Sequence, residues 1–133
     1  MKEFVLPIRV YLEDTDAQGV VHNASYFRFM ERARTEWMRA QGMDHDELRE
    51  EHGIVLVLAS IKARFRAPAR LSDMLFVSAA VTEARGARLR FAQNVRRGEP
   101  DGEIVCDGLA EVACMDARAG RPRRFPPTLM SEL

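Results

Sequence analysis

Between residues 24 and 41 the apolar positions Tyr26, Phe29, Met30, Ala33, Trp37 and Ala40 recur every three or four residues, the spacing of one helix face. The charged residues Arg28, Glu31, Arg32, Arg34, Glu36 and Arg39 fall mostly elsewhere, with Arg32 and Glu36 one turn apart. Asn23 or Ser25 suits the cap at the start of this helix, and Gly42 suits the left-handed residue beyond its end. Before it, residues 4–12 alternate as a strand does. After it, Asp44-His45-Asp46-Glu47 opens a short helix over 44–53 with capping-box spacing. From residue 54 the period changes to two. Strands are expected over 54–65, 74–84, 88–95 and 103–115, separated by Pro68, Gly86, the Gly98-Glu99-Pro100-Asp101-Gly102 turn and Gly120. Leu89, Phe91 and Val95 share one face of the third of these, and Ile104, Cys106, Ala110, Val112 and Cys114 one face of the fourth. One-sided alternation suits an antiparallel sheet covered on one side. The long helix needs a broad apolar partner, so the pattern predicts an α+β fold, an antiparallel sheet wrapped around one long helix. No linker, repeat or low-complexity segment interrupts it, and residues 1–133 are expected to form a single domain.

Composition narrows the function classes. At 47% apolar and 30% charged, the 133-residue chain reads as a soluble globular protein with a small core. Twenty Lys and Arg balance twenty Asp and Glu, so no global field draws it to nucleic acid or membrane. Its arginines lack interleaved aromatics, and no recognition helix is visible, which argues against nucleic-acid binding. No apolar run is long enough for a membrane span, and the N-terminal residues lack the features of a signal peptide. Cys106 and Cys114, eight positions apart in one expected strand, would lie ~26 Å apart, too far for a disulfide. Reduced, buried thiols suit the cytoplasm. His22, His45 and His52 lack zinc-ligand spacing, and there is no nucleophile elbow, P-loop or dinucleotide fingerprint. Neither metal nor cofactor is expected.

The chemistry concentrates in Asp14-Thr15-Asp16-Ala17-Gln18-Gly19-Val20-Val21-His22-Asn23, directly before the long helix. Unpaired N–H groups of a helix's first turn, with the dipole behind them, favour developing negative charge. A thioester or ester carbonyl under attack develops such a charge. Asp16 beside Gly19 is placed to serve as nucleophile or as general base for water; its structural alternative is a turn or capping aspartate. Asp14 reads as a loop-stabilising partner, His22 as a group able to orient water or the aspartate, and Glu31 as the alternative base. Tyr26 is a candidate for touching substrate, although a helical apolar stripe is first of all core.

The longer segment from Arg9 to Tyr26 that contains this stretch, continued by Glu31-Arg32-Ala33-Arg34-Thr35-Glu36, resembles the 4-hydroxybenzoyl-CoA thioesterase family, and within it the Tol-Pal-associated acyl-CoA thioesterases (YbgC type). A second block, Ala67-Pro68-Ala69-Arg70-Leu71-Ser72-Asp73-Met74-Leu75 with Arg85-Gly86 after it, fits the same subgroup. The resemblance implies a hotdog fold and metal-free hydrolysis of acyl-CoA thioesters at a dimer interface. Asp16 then attacks the thioester or activates water, and the Asn23 N–H meets the thioester carbonyl. Arg85 and Arg88 meet CoA phosphates, with Arg64, Arg66, Arg70, Arg96 and Arg123 as further candidates. Across the dimer, Ser60 and its strand or the turn bearing Arg85 and Arg88 would face the aspartate loop. The expected assembly is a homodimer or homotetramer, and acyl carrier protein is an alternative acyl donor to CoA. Two departures stand out: His22-Asn23 replaces a frequent Tyr-His pair, and Leu12 replaces the second of two aromatics after Tyr11. The competing readings are a hydroxyacyl dehydratase, whose His-Phe-Pro motif is absent, and a non-catalytic acyl-thioester-binding or envelope-associated interaction protein.

Overall fold

The computed structural model describes residues 2–127. In chain order it contains β1 (Glu3–Arg9), a 3-10 turn (Leu12–Asp14), α1 (Asn23–Ala40), α2 (His45–His52), β2 (Ile54–Phe65), β3 (Met74–Arg85), β4 (Arg88–Arg97) and β5 (Glu103–Asp116). The five strands form one sheet in the order β1-β3-β4-β5-β2 with every neighbouring pair antiparallel. The long helix lies on one face of it, packed against β1, β3 and β4, while α2 packs against β2. This is the hotdog arrangement that the resemblance implies.

The apolar stripe of α1 explains the docking. Phe29, Met30, Ala33 and Trp37 are fully buried against Leu75, Val77 and Ala79 of β3 and Leu89, Phe91 and Val95 of β4. Trp37 meets Phe91 edge-on with ring centroids 5.4 Å apart, and its indole N–H donates to the Lys2 carbonyl at 2.8 Å. Emptying one such aromatic position costs about 3–5 kcal/mol. Gly42 takes a left-handed φ of +81° after the helix, as the sequence suggests.

Several boundaries and environments differ from expectation. The first strand stops at Arg9 rather than continuing to residue 12, because the chain turns into the 3-10 segment, whose Asp14 carboxylate accepts the Tyr11 N–H at 2.8 Å. The cap of α1 is His22, not Asn23 or Ser25: its Nδ1 accepts the Ala24 N–H at 3.1 Å. Asn23 is already the first helical residue, and the Ser25 hydroxyl is turned to the Asp14 carbonyl at 3.1 Å. β3, β4 and β5 each run one or two residues further than the alternation suggests. A bulge between the Val95–Cys106 and Arg96–Ile104 pairs leaves Val105 without a partner in β4; it is fully buried, and its carbonyl accepts the Arg66 N–H at 2.9 Å.

The largest departure is Arg34. Expected on the polar side of α1, it is buried with Gln93 of β4. Its Nη1 donates to Gln93 Oε1 at 2.9 Å, and Gln93 Nε2 donates to the Met30 carbonyl at 2.9 Å and the Ser78 carbonyl at 3.2 Å. Burial pulls the Arg34 pKa below its usual value. Cys106 and Cys114 are free and buried; burial pushes their thiols up to about 12 and about 11, so neither offers a thiolate near neutral pH. No helix among the described residues is long and apolar enough to cross a membrane.

Candidate active site

The loop between β1 and α1 is stitched to the helix by Asp14. Its buried carboxylate accepts from the Tyr11 N–H through one oxygen and from Arg28 Nη2 at 3.0 Å through the other. Its carbonyl accepts the His22 N–H at 2.8 Å and the Ser25 hydroxyl. Arg28 also donates to Ser25 Oγ at 3.2 Å, closing a small polar ring around the helix start. Asp14 is thus spent on structure.

Beyond it the chain makes a miniature hairpin, bridged between Thr15 and Val21. The Asp16 N–H donates to the Val20 carbonyl at 2.9 Å, and the Gly19 N–H returns to the Asp16 carbonyl at 3.0 Å. Gly19 turns the corner with φ +78°, a conformation costly for a residue with a Cβ. Asp16 Oδ1 accepts the Gln18 N–H at 2.9 Å. Val20 bridges Arg70, and the Val21 N–H donates to the Ala69 carbonyl at 2.8 Å, so the hairpin is anchored to the connection leading into β3. The result is a half-exposed carboxylate on a tip fixed mainly by backbone bonds.

The helix N-terminus can be accounted for donor by donor. The His22 N–H goes to Asp14, the Ala24 N–H to His22 Nδ1, and the Ser25 N–H to the His22 carbonyl at 2.9 Å. The Asn23 N–H finds no acceptor among the described residues, and Asn23 is exposed. That donor belongs to the first residue of an eighteen-residue helix. An acceptor acquiring negative charge is favoured there.

The structure brings Asp16, His22 and Asn23 together at one end of the sheet, with His22 Nδ1 committed to capping. The other candidates are placed differently. Tyr26 is only 3% exposed and packs in the core, its ring centroid 5.7 Å from Phe65 and 6.2 Å from Phe29. Burial foremost, then nearby Cys106, pushes its hydroxyl up to about 12. Ser60 is exposed in β2 opposite Glu111, beside a bulge. Arg85 and Arg88 face each other across the turn joining β3 and β4. The Asp16 loop adjoins the other end of β3, ~36 Å away along twelve residues of strand. Arg88 is paired with Glu111, Arg66 with Asp107, and Arg123 with Asp116 at 3.5 Å; Arg96 donates to the Gly102 carbonyl. Among the described residues Arg64, Arg70 and Arg85 form no ion pair. Glu31 lies exposed on α1, ~12 Å along the axis from the first turn. Among the described residues no three His, Cys, Asp or Glu side chains gather as a metal site would need.

Sequence reasoning missed the Asp14–Arg28–Ser25 ring, since partners fourteen positions apart meet only through the path of the loop. It also missed His22 as the cap.

Comparison with known proteins adds an independent line. The pattern of the thioesterase-like superfamily matches residues 10–133. The chain is 38% identical over 129 residues to the acyl-CoA thioester hydrolase YbgC of Escherichia coli O6:H1, covering 97% of this chain and 94% of that protein. It is 37% identical over 123 residues to the acyl-CoA thioesterase YbgC of Haemophilus influenzae, covering 92% and 88%. A solved mutant 4-hydroxybenzoyl CoA thioesterase, complexed with 4-hydroxybenzoyl CoA, superposes with a TM-score of 0.89 over 99% of both chains; at 20% identity it speaks to fold alone.

Proposed function

Because the chain belongs to the thioesterase-like superfamily, and within it to the YbgC type, we propose that it hydrolyses acyl-CoA thioesters to free acid and CoA. The observation that carries the reading is the Asn23 N–H at the start of α1, without an acceptor among the described residues, directly after a backbone-pinned hairpin presenting Asp16. The thioester carbonyl sits on that donor, and charge accumulates on its oxygen as the carbon is attacked. Loss of such a donor costs about 3–4 kcal/mol of transition-state stabilisation. Asp16 contributes in one of two ways. As nucleophile its carboxylate oxygen bonds to the acyl carbon, the C–S bond breaks, the thiolate leaves to be protonated by solvent, and water then hydrolyses the mixed anhydride. As general base it takes the proton of an attacking water while the same C–S bond breaks. Either route supplies the acid and the thiol from one water.

The same reading calls for two copies. Among the described residues β2 pairs only with β5, leaving twelve residues of edge, and Val57, Leu58 and Phe65 on it are 46%, 44% and 42% exposed. A long apolar edge invites pairing. Twofold antiparallel joining of two β2 strands sets the Ile54 end of one copy beside the Phe65 end of the other. Arg88 and Val57 both pair with Ala113, so the turn bearing Arg85 and Arg88 lies toward the Ile54 end. That turn is thereby carried toward the other copy's Asp16, where the arginines suit CoA phosphates. The homodimer, its further pairing into a homotetramer, a cytoplasmic setting and acyl carrier protein as an alternative acyl donor belong to this proposal, as does a single domain over 1–133, whose ends lie outside the described residues.

Thiol release from short-chain, long-chain and aromatic CoA esters tests the activity. Asp16→Asn is expected to lose at least ~100-fold in turnover with fold and assembly intact. Near-normal turnover in that variant, together with an inert Glu31→Gln, would move the chemistry to Glu31.

A further inference from the structure

Resting on the reading of Asp16 as the reacting carboxylate, we propose that Gln18 is its positioning residue and decides which of its two oxygens meets the thioester. Two donors of Gln18 converge on Asp16. The main-chain N–H reaches Oδ1 at 2.9 Å. The side-chain amide lies against the same carboxylate; with its nitrogen turned inward it reaches Oδ1 at 3.1 Å and Oδ2 at 3.3 Å, whereas the opposite orientation sets oxygen against oxygen. The Thr15–Val21 bridge and the reversal at Gly19 hold both residues on one short hairpin.

The consequence is an asymmetric carboxylate. Oδ1 is occupied by two donors, and Oδ2 by one longer contact, so Oδ2 is the oxygen left with lone pairs to offer. These contacts favour one setting of the terminal side-chain torsion, otherwise broad and twofold for aspartate. The donors are neutral. A cation in their place would hold the carboxylate ionised while lowering its basicity, which a nucleophile or base needs. Among the surrounding charged and titratable groups, two are engaged by other partners, while the Arg70 guanidinium forms no ion pair among the described residues. Asp14 is paired with Arg28, and His22 caps α1. Arg70, on the connection packed against the hairpin, bridges Val20 through its backbone. Gln18 touches Asp16 and acts through it.

The test is kcat and KM against pH for the full chain with its preferred acyl-CoA, in wild type, Gln18→Met, Gln18→Glu and Asp16→Asn. Gln18→Met keeps the length and removes the amide; kcat is expected to fall about tenfold, a modest part of the factor contributed by a positioned base, with KM unchanged. Gln18→Glu sets a like charge against Asp16, and the acidic limb of its kcat profile should move up by about one pH unit. A merely structural loop residue would change thermal stability or KM and leave that limb in place. Unchanged kcat and an unmoved limb in both Gln18 variants, with Asp16→Asn inert, overturn the positioning role alone. An active Asp16→Asn overturns it together with the reading on which it rests.

Discussion

One N–H at this helix start, that of Asn23, has no acceptor among the described residues. Asn23 offers it from the main chain, so the side chain at that position is nearly free to vary while the peptide is not. Asn23→Ala should therefore lose little turnover, whereas Asn23→Pro, which lacks the N–H, should fall by about 100-fold or more while the helix still starts, since proline suits its first position. Equal, small effects of the two on acyl-CoA hydrolysis would remove Asn23 from the reaction. The capping energy sits one residue earlier: His22→Ala should cost about 1 kcal/mol in chemical unfolding, a loss that Asn23→Ala should not show. Asp16 and Asn23 stood out in the sequence because a carboxylate, a glycine and a polar pair precede a strongly periodic helix. The cap did not, because Asn and His both have acceptors to offer and the choice depends on the extended backbone at His22, φ −67° and ψ 140°.

At the scale of elements, α1 is held to the sheet by apolar packing and by the buried amide of Gln93, which accepts from Arg34 and donates to the Met30 carbonyl. Gln93→Leu would strand a buried guanidinium without its acceptor and should destabilise by about 3–5 kcal/mol, while the double variant with Arg34→Met should recover most of the loss. Urea unfolding of the two single variants and the double variant measures the cycle; additive losses would mean that the pair is not coupled. Spacing alone could have placed Arg34 here, since it lies four residues from Met30 and three from Trp37, on the buried side of the helix. Its charge kept it off the predicted face, as its amide kept Gln93 off the face of Leu89, Phe91 and Val95. Each polar residue is buried because the other is.

For the whole molecule, the number and type of elements followed from a change of period, but the strand order β1-β3-β4-β5-β2 did not, because it depends on pairings between segments far apart in the chain. The β2 edge, without a partner strand among the described residues, is the feature with most at stake. Leu58→Lys, or Val57→Lys beside it, should turn a dimer into a folded monomer with most of its turnover lost, followed by light scattering at low micromolar concentration. A fully active wild-type monomer under those conditions would overturn the shared site. The distance between the Asp16 hairpin and the turn bearing Arg85 and Arg88, at opposite ends of one sheet, then acquires a genetic meaning. Chains crippled at one end and chains crippled at the other are defective in different halves of every site. Coexpressed as Asp16→Asn and Arg85→Ala/Arg88→Ala, they would mix into heterodimers that pair the two sound halves at one of their two sites, restoring about a quarter of the sites in the population. Two inactive alleles would then complement each other within a single assembly.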